Sequence, residues 1–378
     1  MKNRILNITN TLDTGAVDNW LVCVCERIAA ENPHWQWTFY CLDENPGRLE
    51  ERARGFGARV IRSPYRLGDK RAFMSSLRAF MKSNPHDILH SQNDFVSAAY
   101  LLAGLGLPFR KRIVHIHNSE KGIATPSRWK QLLLRETMRQ ACLRLADHIV
   151  GVSRDALSKF LRNKPPQPGR DRVLYCGVDT QRFNKPPWDR EEFRRSLGLP
   201  AGAKVLLFVG RMVPLKNPLF VVDMVQVLAK LDPSVVACFV GTGELESQVA
   251  RRVQAMALGN RVRLLGWRDD IPQIMRSSDL LVFSNVEEPK EGLGLVLVEA
   301  QAAGLPVLLS RGAPEDAIVI PELAQILPLA SGTVAWARRA AECLAKPIPD
   351  RHASLKKVED SPFTLTKSAS ALTELYQS

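Results

Sequence analysis

The chain has 378 residues, 45% hydrophobic and 24% charged. That is ordinary globular composition, with length enough for two domains that each bury a full core. Its 52 lysines and arginines exceed its 39 aspartates and glutamates by a formal +13, which predicts an anionic partner. No run of about 18 apolar residues occurs, and the amino terminus is too short and polar for a secretion signal. No nucleic-acid-binding motif accompanies the positive charge. These features argue against a membrane-spanning chain, a secreted one and a nucleic-acid binder, and a cytoplasmic location is expected.

In chain order, residues 4–8 read as a buried strand, followed by a loop with Thr14 and Gly15. Val17, Trp20, Leu21, Val24 and Ile28 then recur at three and four residues and predict a helix facing a sheet. Further strands are expected at 37–42, 59–61, 88–90, 112–116, 148–152 and 173–175, with helical patterns between them. Such alternation is the signature of an α/β fold with parallel sheets wrapped by helices. His90 ends one of these strands, and His115 and His117 end the next. A three-histidine metal site is one reading of them, and structural histidines are the other; no clustered acidic ligand accompanies them.

Arg110, Lys111 and Arg112 are followed by Arg128, Lys130, Arg135, Arg139 and Arg144 on a predicted helix that also carries Trp129, Leu132, Leu133 and Leu134. Two readings stay open: a helix resting on an anionic membrane surface, or a core helix with a solvated basic face. The seven cysteines, at 23, 25, 41, 142, 176, 238 and 343, form no pair spaced by two residues and lie mostly in apolar runs. They read as reduced packing residues rather than a disulfide framework or a zinc site.

Asn184-Lys185-Pro186-Pro187 breaks regular structure, so a domain boundary is expected within 177–190. The second half repeats the scheme, with strands near 205–209, 235–240, 262–264, 280–284 and 307–309 and a last helix at 365–376. The domains are therefore placed at 1–180 and 181–360, followed by a carboxy-terminal helical segment, 361–378. Arg211 and Lys216 leave the sheet after the Gly210 turn, where open α/β sheets bind ligands outside the carboxyl ends of their strands. Asn217 is expected to cap a helix opening at Pro218. Further on, Glu291 and Glu299 bracket Gly292-Leu293-Gly294-Leu295, where a strand gives way to an apolar helix. The glycines let the backbone approach a ligand, and the unpaired amides at the helix start face an anion such as a diphosphate. Glu299 could accept hydrogen bonds from a sugar hydroxyl.

Gly210-Arg211 with Lys216, then Gly241-Thr242-Gly243-Glu244-Leu245, then Glu291 with Glu299 occur in an order that resembles the retaining glycosyltransferases of family 4. The likeness continues in His115-Ile116-His117-Asn118, Gly151-Val152-Ser153-Arg154, Gly177-Val178-Asp179, Arg182-Phe183 and Gly15, so it spans nearly the whole chain. It is greatest to the bacterial branch that builds exopolysaccharide, capsule or lipopolysaccharide. The resemblance implies the GT-B architecture: two Rossmann-like doubly wound parallel-sheet domains facing a central cleft. The first would bind the acceptor and the second the nucleotide sugar, with the last helix crossing back to the first domain.

The resemblance also implies roles. Arg211 and Lys216, helped by amides at Gly292, Leu293, Gly294 and Leu295, would stabilise the leaving diphosphate. Glu291 and His117 would lie beside the donor sugar, and Glu299 would hold the ribose. Gly15, Gly210, Gly241 and Gly243 would bring backbone to the donor, Trp267 and Arg268 would line the base pocket, and His90 and Asn118 would lie on the acceptor side. The implied reaction moves a sugar from a nucleotide-diphosphate sugar, a UDP-sugar, to a lipid-linked or polysaccharide acceptor. No metal or cofactor is expected, and the enzyme would be peripheral on the inner face of the membrane. A nucleotide-sugar epimerase and a non-catalytic nucleotide-sugar-binding protein are the alternatives. Three positions depart from the family pattern: Thr14-Gly15 stands for two glycines, Gln92 for a second histidine after His90, and Cys176 for an asparagine before Gly177. Glu287 and Glu288 compete for the place of Glu291, and spacing to Glu299 favours Glu291.

Overall fold

A computed structural model of the chain describes residues 3–13, 15–118, 128–184 and 189–378. Thr14, residues 185–188 of the expected boundary, and the side chains of Arg128, Trp129 and Lys130 lie outside the described residues. The chain forms two compact units, residues 1–177 with 365–378, and residues 178–364.

Unit 1 begins with β1 (Arg4–Thr9), α1 (Ala16–Glu31), β2 (Gln36–Cys41), α2 (Glu50–Gly55), β3 (Arg59–Arg62) and α3 (Lys70–Ser83). It continues with β4 (Ile88–Ser91), α4 (Ser97–Ala103), β5 (Lys111–Ile116), α5 (Arg128–Leu145), β6 (His148–Gly151), α6 (Arg154–Phe160) and β7 (Asp171–Val173). Unit 2 holds α7 (Arg190–Ser196), β8 (Lys204–Val209), α8 (Pro218–Leu231), β9 (Val235–Val240), α9 (Glu246–Ala255), β10 (Val262–Leu264) and α10 (Ile271–Ser277). It ends with β11 (Leu280–Phe283), α11 (Leu295–Ala302), β12 (Val307–Leu309), β13 (Ala324–Ile326), α12 (Gly332–Leu344) and α13 (Arg351–Asp360). The last helix, α14 (Leu365–Gln377), belongs to unit 1.

The sheets are ordered β3-β2-β1-β4-β5-β6-β7 and β10-β9-β8-β11-β12-β13, with every strand pair parallel. Each is a doubly wound Rossmann-like sheet whose order reverses once, beside β1 in unit 1 and beside β8 in unit 2. Strands covered on both faces read as continuous apolar runs, and β9, Val-Val-Ala-Cys-Phe-Val, is buried at every position. Two expectations shift: β7 starts two residues before the predicted 173, and the short β13 was not foreseen. Its Ala-Gln-Ile sequence carries no buried run.

Helix α8 opens at Pro218 as expected, but Asn217 does not cap it with its side chain. Asn217 takes a left-handed backbone (φ 51°), whereas a capping side chain needs the extended conformation to reach the first amides. Behind α8, Trp336 of α12 is wholly buried, packs edge-on to Phe220 at 5.3 Å and donates from Nε1 to Pro328 O at 3.0 Å. An indole sealed in this way contributes several kcal/mol, judged by the roughly 3–5 kcal/mol that such side chains cost when truncated to alanine.

In unit 1, α1 turns Trp20, Leu21, Val24 and Ile28 into the core, and α14 packs beside it. The basic run 110–112 works inside the unit. Lys111, only 5% exposed, donates from Nζ to Leu375 O at 2.6 Å, and Arg110 donates from Nη2 to Tyr376 O at 3.1 Å. On α5, Arg139 is likewise buried and gripped by Glu136, and Arg135 lies over the Phe95 ring. The basic face expected on this helix is therefore reduced, although Leu132 and Leu133 are exposed. Among the described residues no helix is long and apolar enough to cross a membrane. None of the seven cysteines is in a disulfide, and all but the half-buried Cys23 are buried. Burial pushes their thiols up, Cys41 to about 12 and Cys238 to about 11.

Candidate active site

In unit 2 the sheet order reverses between β8 and β11, and the residues that leave these two strands form the candidate site. The chain makes a tight turn after β8. Gly210 donates to Val240 O at 3.0 Å, Gly241 to Gly266 O at 2.7 Å and Met212 to Thr242 O at 2.8 Å. Gly241 (φ 122°) permits this crossing, since a Cβ there would meet Gly210 O at 2.2 Å. Gly243 is held likewise, its missing Cβ 2.5 Å from Met212 O. The geometry thus gives both glycines a packing role, and the Gly241 amide is already engaged.

Lys216 runs past Gly210, with its Cδ 3.6 Å from where a Cβ would stand. Its ammonium forms an ion pair with Glu291 and lies 5.4 Å from the Phe283 ring centroid. These partners are 75 residues apart in sequence. Backbone ties fix their approach: Ser284 Oγ donates to Lys216 O at 3.0 Å, Val286 N to Leu215 O at 2.9 Å, and Glu291 N to Gly312 O at 3.0 Å. Asn285, 1% exposed and not singled out in the sequence, donates from Nδ2 to the same Glu291 oxygen. Glu287, a rival for this place, instead accepts from Leu329 N at 2.9 Å. Arg211 is exposed, and its guanidinium makes no hydrogen bond or ion pair among the described residues.

Beyond Glu291, Gly292 and Leu293 are buried, and Gly294 turns into α11 with a left-handed φ of 73°. The amides of Leu295 and Val296 open the helix with no preceding turn to receive them, whereas Leu297 N donates to Gly294 O at 2.8 Å. Glu299 follows one turn into α11 and is half-buried. Burial pushes its carboxyl up to about 7, against the opposing pull of the Arg182 guanidinium. Trp267 is 44% exposed. Arg268, expected beside a base, is already committed to Asp270, from Nε at 2.8 Å and from Nη2 at 2.5 Å.

In unit 1, Gly15 is the extended residue that precedes α1, and a Cβ there would meet Asp18 Oδ2 at 2.8 Å. His117 follows β5 and is 6% exposed, with Nε2 2.8 Å from Gln92 Oε1. Gln92 thus fills the place of the family's second histidine with a partner for His117. Asp94, missed in the sequence, accepts from His117 N at 2.6 Å and from Asn118 N at 3.2 Å, and its other oxygen takes Asn118 Nδ2 at 2.8 Å. Only its place just after Gln92 could have pointed to it.

His90 does not lie where an acceptor could reach it. It is fully buried, with Nδ1 2.7 Å from Tyr376 Oη and Nε2 3.2 Å from His115 Nδ1, so both ring nitrogens are occupied. The three histidines form a row: His90 and His115 are near-parallel at 8° and 5.3 Å, and His115 and His117 at 26° and 4.3 Å. Rings in parallel rows do not converge their nitrogens on one point. Among the described residues no group of three histidine, cysteine or acidic side chains is arranged to hold a metal.

Residues 27–182 match the family model described as Glycosyltransferase Family 4, and residues 189–353 match the one described as Glycosyl transferases group 1. Two doubly wound parallel-sheet units carrying these matches define a glycosyltransferase of the GT-B fold. The chain belongs to glycosyltransferase family 4.

It is 27% identical over 293 residues to an Escherichia coli UDP-Gal:alpha-D-GlcNAc-diphosphoundecaprenol alpha-1,3-galactosyltransferase, covering 74% of this chain and 72% of the relative. A D-inositol 3-phosphate glycosyltransferase of Corynebacterium glutamicum is 27% identical over 331 residues, covering 81% and 76%. The solved structure of Anabaena HepE in complex with UDP-glucose superposes with a TM-score of 0.78 over 99% of each chain at 19% identity, a likeness of fold.

Proposed function

We propose that this glycosyltransferase takes a sugar from a UDP-sugar held on unit 2 and passes it to a lipid-linked or polysaccharide acceptor received by unit 1, in the making of a cell-surface glycan. The observation that carries the reading is the meeting of Lys216 and Glu291 at the β8/β11 reversal, with Arg211, unpaired among the described residues, close to Lys216 in sequence. Breaking the anomeric bond leaves negative charge on the diphosphate. Fixed cations and helix amides stabilise such charge more in the transition state than before it. Arg211, Lys216 and the start of α11 are assigned that work, so the reaction needs no metal ion, and the configuration at the anomeric carbon is retained. Glu299 receives the ribose, Glu291 and His117 the donor sugar, and Trp267 the base. The exposed Leu132 and Leu133 on α5 and the net positive charge support a peripheral position on an anionic membrane from the cytoplasmic side.

The UDP-sugar and the lipid diphosphate named for the Escherichia coli relative, together with the UDP-glucose in the HepE structure, support this choice of donor and acceptor class. A thermal-shift panel of UDP-, GDP- and ADP-sugars should single out UDP compounds, and Arg211→Ala should abolish both the shift and transfer to a polyprenyl-diphosphate sugar. Full transfer by Arg211→Ala and Glu299→Gln together would refute the roles. An altered sugar released without acceptor would mark an epimerase, and stabilisation without turnover a binding protein.

A further inference from the structure

Glu291 has two donors on one oxygen, the Lys216 ammonium and the Asn285 amide. Asn285 follows β11 by two residues, is almost wholly buried, and has its own carbonyl fixed by Ser310 Oγ at 2.6 Å. The carboxylate, the amide and the ammonium are thus each tied by backbone to the ends of β8, β11 or β12. The two cations of the site are therefore unequal. Among the described residues Arg211 has no counter-charge of its own, whereas Lys216 is already neutralised within the chain by a half-buried carboxylate. A polyanion approaching Lys216 meets that carboxylate as a competitor, and repulsion between like charges is strongest where water is scarce.

We propose that Asn285 is a positioning residue that holds Glu291 on Lys216, making this carboxylate an internal counter-anion that tells an intact nucleotide sugar from a bare nucleoside diphosphate. A bare diphosphate must displace Glu291 and gives it nothing in return. A nucleotide sugar offers hydroxyl donors that Glu291 can accept as it leaves the ammonium. The site thereby disfavours retention of the spent nucleotide, and the inference rests on the donor role proposed above for these residues.

The test compares the affinities of UDP, UDP-glucose and UDP-galactose by calorimetry. Glu291→Gln keeps the shape of the side chain and removes its charge. It should tighten UDP about tenfold and the preferred UDP-sugar by less, so the preference for sugar over bare UDP falls. Asn285→Ala should lower the same preference and reduce kcat more than it changes KM. Asn285→Leu, nearly isosteric but unable to donate, should do so too, which keeps the test sound if the alanine variant folds poorly. A residue that merely supports the fold would change melting temperature without changing the ratio of the two affinities. Normal UDP binding with an unchanged ratio in Glu291→Gln overturns this inference alone. Failure of the wild-type protein to bind any of the three compounds overturns the donor site and this inference with it.

Discussion

Trp20 Nε1 donates to Ser368 Oγ at 2.8 Å, joining two residues 348 positions apart. This bond is the buried centre of the seam between α1 and α14, where Ala369, Leu372, Leu375 and Tyr376 are also hidden. The last carbonyls of α14 are received by Lys111 and Arg110, as suits cations at the negative end of a helix. Leu372→Ala is expected to cost about 2–5 kcal/mol in denaturant unfolding of unit 1. Deletion of residues 365–378 should leave unit 1 unable to complete its core. A truncated chain that melts within about a degree of the intact one would show that the seam contributes nothing.

The buried histidines predict acid sensitivity. Burial lowers His86 to about 4 and His90 to about 3, and holds His115 well below its usual 6.5, with neighbouring arginines or histidines adding to the effect. These rings are neutral in the folded protein. Their contribution is present in full above 6.5 and falls as the pH drops through 6.5 toward 4 and 3, because the unfolded chain takes up protons that the fold refuses. Each should cost roughly 1 kcal/mol per pH unit below 6.5. Urea unfolding of unit 1, followed by amide exchange at pH 7.5 and 5.5, should show the loss, and His90→Gln should make it shallower. Equal stability at both pH values would contradict the neutral row.

Glu299 shifts the other way, its carboxyl raised from 4.5 to about 7 by burial. Its proton is bound more tightly in the folded state, so the stabilising contribution is complete below 4.5 and is lost as pH rises through 7. Glu299→Gln should therefore melt above the wild type at pH 8 and alongside it at pH 4.5. The carboxylate is also the better acceptor for ribose hydroxyls. UDP affinity of the wild type should rise between pH 6 and 8 more than that of Glu299→Gln. Parallel pH curves for the two proteins would remove Glu299 from the ribose site.

Runs such as those of β8 and β9 announce themselves, because strands covered on both faces need apolar residues at every position. Edge strands need not obey this, which is why β7 was displaced and β13 went unseen. Residue type also misled where backbone conformation decides: Asn217 is a good capping residue by chemistry, but a left-handed φ directs its side chain elsewhere. Arg139 and Lys111 looked like surface charge, yet one is answered by Glu136 and the other by the carbonyl of Leu375. Lys216 and Glu291 could each be picked from local motifs. Their ion pair, and the part of Asn285 in it, depend on the β8-β11 adjacency, which no single segment encodes.

The thiols buried in both units give each half of the chain its own timer. An alkylating reagent should tag Cys23 first, since the other cysteines are shielded and, with raised pKa values, poor in thiolate. Later tags at Cys142 or Cys176 would date the opening of the first unit, and tags at Cys238 or Cys343 that of the second. Peptide masses from one labelling series would then show whether UDP slows the opening of one half or of both.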